Sequence, residues 1–164
     1  MKGKEIVDLA EMEEKDSSSY GLLGQRLMAI RKKISIPPMF LVSNSVLNSL
    51  VEGDQIPKGK HIPWRLEIDI AQRFDMLESP AVRILPSPSY EHSIPDFSTV
   101  SSKSELVVSI ESCFRSFFDV VETERREEMG VKEFGVAVII QKLFDPKSSG
   151  TLTQSKKEAS IVAV

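Results

Sequence analysis

The sequence has one cysteine, Cys113, and only two histidines, His61 and His92. A single cysteine cannot form an internal disulfide, and it excludes the cysteine-rich zinc modules, so the chain fits a reducing compartment. No run approaches the ~20 apolar residues that a membrane-spanning helix needs, and the acid-rich start lacks the pattern of a signal peptide. We therefore expect a cytoplasmic protein that is not secreted and has no transmembrane segment.

The chain also lacks an excess of positive charge. Its net charge is −3, so the chain as a whole is not an electrostatic binder of nucleic acid. Any role in anion binding must come from a local cluster of cations. The rest of the composition is that of an ordinary globular protein, because 41% of the 164 residues are hydrophobic and 27% are charged.

Residues 1–20 are polar and acid-rich and end in three serines, a pattern that predicts a flexible acidic arm. Residues 21–164 predict a single α+β domain. Within it we expect a small, mostly antiparallel sheet packed against two or three helices.

Three segments have the apolar spacing of amphipathic helices. The first covers residues 21–34 and stops at Pro37, and the second covers residues 39–51. The third follows a capping-box pattern at Ser102 and Glu105. Its apolar stripe consists of Leu106, Ile110, Cys113, Phe114, Phe117 and Val121. Residues 105–111 also alternate as a strand would, but the length of the stripe favours a helix.

Other segments have the pattern of strands. Residues 64–74 alternate between apolar and polar side chains, which predicts a half-buried strand with Trp64 in the core. Residues 134–144 are apolar on both faces, as in a central strand. Shorter features are a strand at 80–86, a Pro/Ser-rich loop at 86–104, a turn at 145–150, an edge strand at 151–154 and a last strand or frayed tail at 161–164.

The residues that carry catalytic or metal chemistry do not form a recognisable motif. Glu91, His92 and Asp96 are candidate metal ligands or a general-base cluster, but they lack metal-ligand spacing and also fit a solvated loop. Cys113 lies on an apolar stripe, which predicts a buried, inert thiol. We therefore expect no enzyme activity, no cofactor, no metal and no small-molecule substrate.

One segment combines positive charge with an apolar stripe. Arg26, Arg31, Lys32 and Lys33 share residues 21–34 with Leu23, Leu27, Ile30 and Ile34. Such a segment can dock on an anionic membrane surface or on nucleic-acid phosphates. The alternative is an amphipathic helix packed on the core with its charges in solvent.

Three stretches resemble the matrix proteins of non-segmented negative-strand RNA viruses. Residues 62–70 are similar to the first sheet strand of the bornavirus type. The helix predicted at 104–126, followed by Gly130 and Val131, resembles the late helix of that family. Residues 133–140 with 147–150 are similar to a C-terminal strand and turn of rhabdovirus matrix proteins. The resemblance implies self-assembly under a membrane, contact with the nucleocapsid, no enzyme activity, and a location in the host cytoplasm and the virion.

These patterns support three hypotheses. The first is a matrix-like structural protein that self-associates and docks on an anionic membrane surface or a nucleocapsid through Arg26, Arg31, Lys32 and Lys33. The second is a protein-binding adaptor that acts through its N-terminal arm or the loop at 86–104. The third is a small metal-dependent enzyme centred on His92.

Overall fold

A computed structural model describes residues 4–91, 98–144, 150–154 and 159–163. The main sheet contains β1 (Ile6–Asp8), β2 (Met39–Val42), β3 (Val82–Pro88), β4 (Ser98–Val100) and β5 (Val136–Lys142), in the order β1-β2-β5-β3-β4. All of its neighbouring strands are antiparallel. A second antiparallel sheet pairs β6 (Gly150–Gln154) with β7 (Ala159–Ala163).

The described residues also contain α1 (Gly21–Ile30), α2 (Asn44–Leu50), α3 (Trp64–Met76), α4 (Lys103–Ser116) and α5 (Val120–Glu128). Two 3-10 helices, Leu9–Glu11 and Glu14–Tyr20, precede α1. The predicted α+β class with an antiparallel sheet is confirmed, but there are more helices than the predicted two or three.

The predicted central strand at 134–144 is confirmed as β5. It pairs with β2 on one side and with β3 on the other, and the residues from Val136 to Ile140 are fully buried. Because successive side chains of a strand point to opposite faces, an apolar run of this kind supplies core residues to both sides of the sheet. Ile140 packs in one core cluster and Ile139 in the other.

The larger core lies on the face of the sheet that carries α2, α3 and α4. The predicted helix start is confirmed at α4, where Ser102 Oγ accepts a hydrogen bond from the Glu105 amide at 3.3 Å. The Glu105 carboxylate in return accepts from the Ser101 amide at 3.4 Å, one residue before the position of a full capping box. Leu106, Ile110 and Phe114 follow at helical spacing and are fully buried. The helix ends earlier than predicted, and Val121 lies on the exposed side of α5.

The opposite face is covered by an N-terminal layer, which we define as residues 4–30. The prediction of a flexible arm over residues 1–20 is therefore wrong for residues 4–20. β1 pairs with β2, and Val7, Leu9, Met12 and Tyr20 are buried in the smaller core cluster. The prediction followed the acid-rich composition of the segment as a whole. The few apolar residues within it bury enough surface to order the segment.

The predicted strand at 64–74 is wrong, because these residues form α3. Leu66, Ile70 and Phe74 are buried at intervals of four residues, whereas Trp64 is 73% exposed. The same residues satisfy both a period of two and a helical period, and the larger core selects the helical one. Trp64 is therefore not a core residue.

The predicted helix at 39–51 is correct only in its second half. Residues 39–42 form β2, whose four side chains are all buried, and α2 begins only at Asn44. An apolar run buried on both faces is typical of an interior strand. The chain therefore changes from strand to helix at Ser43.

The predictions for the shorter strands, the loop and the turn are confirmed in part. The strand at 80–86 is confirmed as β3, which continues to Pro88. The predicted edge at 151–154 is β6, which pairs with β7 rather than with the main sheet, and β7 confirms a strand near 161. The loop at 86–104 contains the end of β3 and all of β4, while residues 92–97 and the turn residues 145–149 lie outside the described residues.

Candidate docking surface

The N-terminal layer is fastened to the sheet through Ser87, a fully buried residue of β3. Its hydroxyl donates to the Tyr20 carbonyl at 2.7 Å and accepts from the Gly24 amide at 3.0 Å. Gly24 carries one of the first four helical amides, which have no acceptor within the helix, so Ser87 supplies an acceptor from another element. A Cβ on Gly21 would lie 1.8 Å from the Ser87 carbonyl oxygen, and only glycine allows this approach at φ 66°.

This fastening determines which part of the predicted apolar stripe is covered. Leu23 and Leu27 pack against the smaller core cluster, whereas Ile30 and Ile34 are exposed, Ile34 by 56%. After α1 ends, the Ile34 amide donates to the Ile30 carbonyl at 3.1 Å, so one further turn continues the helical path. We call residues 30–34 the basic turn.

The four predicted docking cations have different environments. Arg26 forms an ion pair with Glu91. Arg31 is half-buried and donates to the carbonyls of Leu9 and Met12, the second at 2.8 Å, and so holds the first 3-10 helix. These two arginines therefore have partners within the protein.

Lys32 and Lys33 are both exposed. Within residues 4–91 and 98–144, neither lysine forms an ion pair or a side-chain hydrogen bond. The predicted four-residue patch therefore reduces to two adjacent lysines that are available to an anion. They belong to the same turn as the exposed side chains of Ile30 and Ile34.

A groove of about 630 Å³ runs beside the basic turn. Lys32 and Ile34 line one side, and Arg73 and Met76 of α3 line another. Arg73 is held by Asp8 at 2.9 Å and by Asp69 at 3.0 Å, whereas Met76 is largely exposed. The contribution of Met76 could not be predicted from a strand at 64–74, because such a strand ends before this residue.

A second cavity, of about 800 Å³, lies between α2, α5 and the residues that lead into β5. Arg126 lines it and is buried, a location that nothing in the polar run at 122–128 distinguished from its neighbours. Its guanidinium donates to the Phe117 carbonyl and to Thr123 Oγ1 at 3.3 Å, and lies 3.9 Å from the centre of the Phe134 ring. Through these contacts Arg126 connects the end of α4 to the residues that lead into β5.

Tyr90 and Cys113, two titratable groups with strongly raised pKa values, are neutral near neutral pH. Burial, with the hydrogen bond to Glu122 at 2.5 Å, raises the pKa of Tyr90 to about 12. Burial also raises the pKa of the Cys113 thiol to about 12, so the thiolate is scarce at neutral pH. Neither group has the lowered pKa of an activated nucleophile.

The proposed metal or general-base cluster is only partly described. Glu91 is paired with Arg26, and His92 and Asp96 lie outside the described residues. His61 Nδ1 lies 3.0 Å from Glu111, whose other oxygen accepts from the Ile62 amide at 2.7 Å and so fixes the entry to α3. In the part of the chain that the structure describes, no three His, Cys, Asp or Glu side chains converge on a metal position.

Comparison with protein-family models and with curated protein sequences gave no significant match to this chain. Within the described ranges, no helix combines the length and the apolar character that crossing a bilayer requires.

Proposed function

We propose that this chain is a non-enzymatic, matrix-like structural protein of the cytoplasm that self-associates and docks peripherally on an anionic membrane surface. The observation that carries the docking proposal is the basic turn. Two lysines without ion pairs among the described residues stand beside exposed Ile30 and Ile34 at the edge of a groove. Cations beside apolar side chains are the combination that binds anionic lipid.

The expected affinity is low and the binding reversible. Each cation near an anionic bilayer contributes roughly 1 kcal/mol, and partial burial of Ile34 and Ile30 adds a second, apolar contribution. Because the attraction between exposed charges is screened, we expect the binding to weaken as the salt concentration rises. Arg26 and Arg31 contribute less than the sequence suggested, because their guanidinium groups are already paired within the protein.

The viral resemblance supports this proposal on fewer stretches of the chain than the sequence suggested. Residues 62–70, which resembled the first sheet strand of the bornavirus type, belong largely to α3. The late helix and the following strand correspond to α4, α5 and β5. The docking proposal therefore rests on the exposed groups of the basic turn.

Vesicle flotation tests this function. Wild type should float with vesicles of phosphatidylcholine and phosphatidylserine and stay behind with phosphatidylcholine alone. The Lys32→Ala/Lys33→Ala variant should lose most of this binding. It leaves intact Arg31, which holds the first 3-10 helix, and the Arg26–Glu91 ion pair, whereas a variant of all four cations would remove both contacts.

The matched control is Lys58→Ala/Lys60→Ala, which removes two positive charges from the loop before α3. Among the described residues, the Lys60 side chain pairs with Glu52, an exposed contact that contributes little to stability. This control should float like wild type. Equal flotation of wild type and the Lys32→Ala/Lys33→Ala variant would contradict the docking proposal, and lysine-dependent binding to single-stranded RNA without vesicle binding would assign the turn to a nucleocapsid instead.

The second candidate function, a protein-binding adaptor, is favoured by the exposure of Trp64. Ile68 follows one helical turn later and is also exposed, so α3 presents a tryptophan–isoleucine pair of the kind that anchors protein interfaces. The N-terminal segment, by contrast, is packed on the sheet. Loss of specific co-purifying partners in Trp64→Ala, with vesicle flotation unchanged, is the expected result for an adaptor; identical partners in both proteins would oppose it.

A further inference from the structure

The outer face of α5 has an unusual composition. Val120 and Val121 are 72% and 77% exposed, and three exposed glutamates follow them, Glu124, Glu127 and Glu128. At about 100° per residue, these five side chains fall within roughly a third of the helix circumference. We call them the acidic face.

The orientation of this face is fixed by the opposite side of the helix. Arg126 is buried there and is anchored to Phe117 and Phe134. The helix ends at Glu128, and Gly130 follows with φ 69°. The Val131 amide returns to the Arg126 carbonyl at 2.9 Å, a helix end closed by glycine. The valines and glutamates are therefore held in solvent and cannot rotate onto the core.

The acidic face and the basic turn are complementary in charge. Each surface places two exposed apolar side chains beside exposed charges, the glutamates on α5 and Lys32 and Lys33 on the turn. Arg125, which borders the acidic face and is partly exposed, lies 3.9 Å from Glu122. Across residues 4–91 and 98–144, none of the three glutamates of the acidic face forms an ion pair. The two surfaces therefore offer both the apolar contacts and the matched charges that favour association.

The two surfaces belong to different layers of the same molecule. The basic turn follows α1 in the N-terminal layer, whereas Phe118 and Phe134, which flank the acidic helix, pack against the larger core on the other face of the sheet. Both surfaces are exposed in the single molecule, and no ion pair or hydrogen bond of the described residues joins one to the other, so each is available to a second molecule.

We infer that the acidic face of one copy docks on the basic turn of a second copy, so that this chain associates head to tail. This inference specifies the self-association within the proposed function. A contact between two different surfaces leaves one of each free in every pair, so further copies add until a ring closes or a filament grows. Since both surfaces are small and exposed, the association depends on protein concentration and weakens with salt.

Light scattering coupled to size exclusion tests the contact. At low salt, the average mass of the wild type should rise with protein concentration. Lys32→Glu/Lys33→Glu and Glu127→Lys/Glu128→Lys should each remain monomeric to a concentration roughly tenfold higher or more, because each places like charges opposite one another. The matched control Lys58→Glu/Lys60→Glu should associate like wild type.

The decisive experiment mixes the two charge-reversed variants in equal amounts. Association should return in the mixture, because the acidic face of one variant meets the intact lysines of the other, and the two reversed surfaces also match. A general effect of each substitution on the fold would not be rescued by mixing. A wild type of constant mass, variants that associate like wild type, or a mixture that stays monomeric would each overturn the inference.

The outcome is separable from that of the docking proposal. Glu127→Lys/Glu128→Lys retains the basic turn and should still float with anionic vesicles. Vesicle binding by a wild type that never associates would leave docking intact and overturn only the head-to-tail contact. If mixing the two variants restores association but the wild type does not bind vesicles, the head-to-tail contact stands and the docking proposal is overturned. Because the same lysines serve both contacts, anionic vesicles should also lower the average mass of the associated wild type.

Discussion

The two faces of the central sheet are held in different ways. On one face, α2, α3 and α4 cover a large, continuous apolar core that includes Phe40, Ile110 and Phe114. On the other, the N-terminal layer covers a much smaller cluster, and specific polar contacts through Ser87 and Arg31 add to it. The basic turn follows directly from this second layer, so the candidate docking surface belongs to the region that should open at lower free energy.

The largest effect should come from the larger core. Phe114→Ala removes a fully buried ring and leaves a cavity, and should lower the free energy of unfolding by about 3–5 kcal/mol. Chemical denaturation measures this value. Phe144→Ala, at an exposed phenylalanine, is the control and should change it by less than about 0.5 kcal/mol. Similar losses for the two variants would break the distinction between core and surface.

Gly21→Ala should detach the N-terminal layer. The added Cβ overlaps the Ser87 carbonyl and the backbone keeps a positive φ, so we expect a cost of about 2–5 kcal/mol from overpacking and backbone strain. Hydrogen exchange should show lost protection in residues 4–30 and retained protection in β5 and α4.

The control for this substitution is Gly53→Ala. Gly53 has a similar φ of 64° but nothing within 4 Å of its Cβ position, so it carries the backbone strain alone. We expect a smaller loss, of about 1–2 kcal/mol. If Gly21→Ala cost no more than Gly53→Ala, the close approach to Ser87 would not be a constraint on the fold.

Ser87→Ala removes the hydroxyl that joins the Tyr20 carbonyl to the Gly24 amide. Leaving these buried groups without a partner should cost about 1–3 kcal/mol. Faster hydrogen exchange should again be confined to the N-terminal layer. Ser101→Ala, at an exposed serine, should leave exchange unchanged, and uniform loss of protection over both faces would contradict the view that Ser87 acts locally.

Trp64→Ala should have the smallest effect on stability, within about 0.5 kcal/mol of wild type, because the side chain is largely in solvent. Leu66→Ala, two residues later and 3% exposed, should cost about 2–5 kcal/mol. In a strand these residues would share a face and lose similar amounts. Equal, large losses in denaturation experiments would therefore restore the strand interpretation.

Much of the sheet could be predicted from short-range patterns. The run from Val136 to Ile140 identified the central strand, because only an interior strand requires apolar residues on both faces. The capping box at Ser102 identified α4. The sequence could not separate α3 from a strand, because Leu66 and Ile70 fit both periods, and the choice depends on the core that receives them.

The sequence identified which residues form the candidate site but not which of them are available to a ligand. The four cations were identifiable, but their separation into paired arginines and available lysines depends on contacts with Glu91, Leu9 and Met12, distant in sequence. The order in the N-terminal segment was missed for a related reason. Its few apolar residues become buried only when β2 and β5 provide a surface for them.

The position of β5 also has a consequence for synthesis on the ribosome. β5 is the last of the five strands of the main sheet in chain order, yet it lies between β2 and β3 in that sheet. Until residue 142 has emerged, each of these earlier strands has an open edge, and the nascent chain carries two partial sheets without the strand that joins them. Exposed strand edges invite pairing between chains, so a pause in translation before residue 136 should be the moment at which this protein most needs a chaperone.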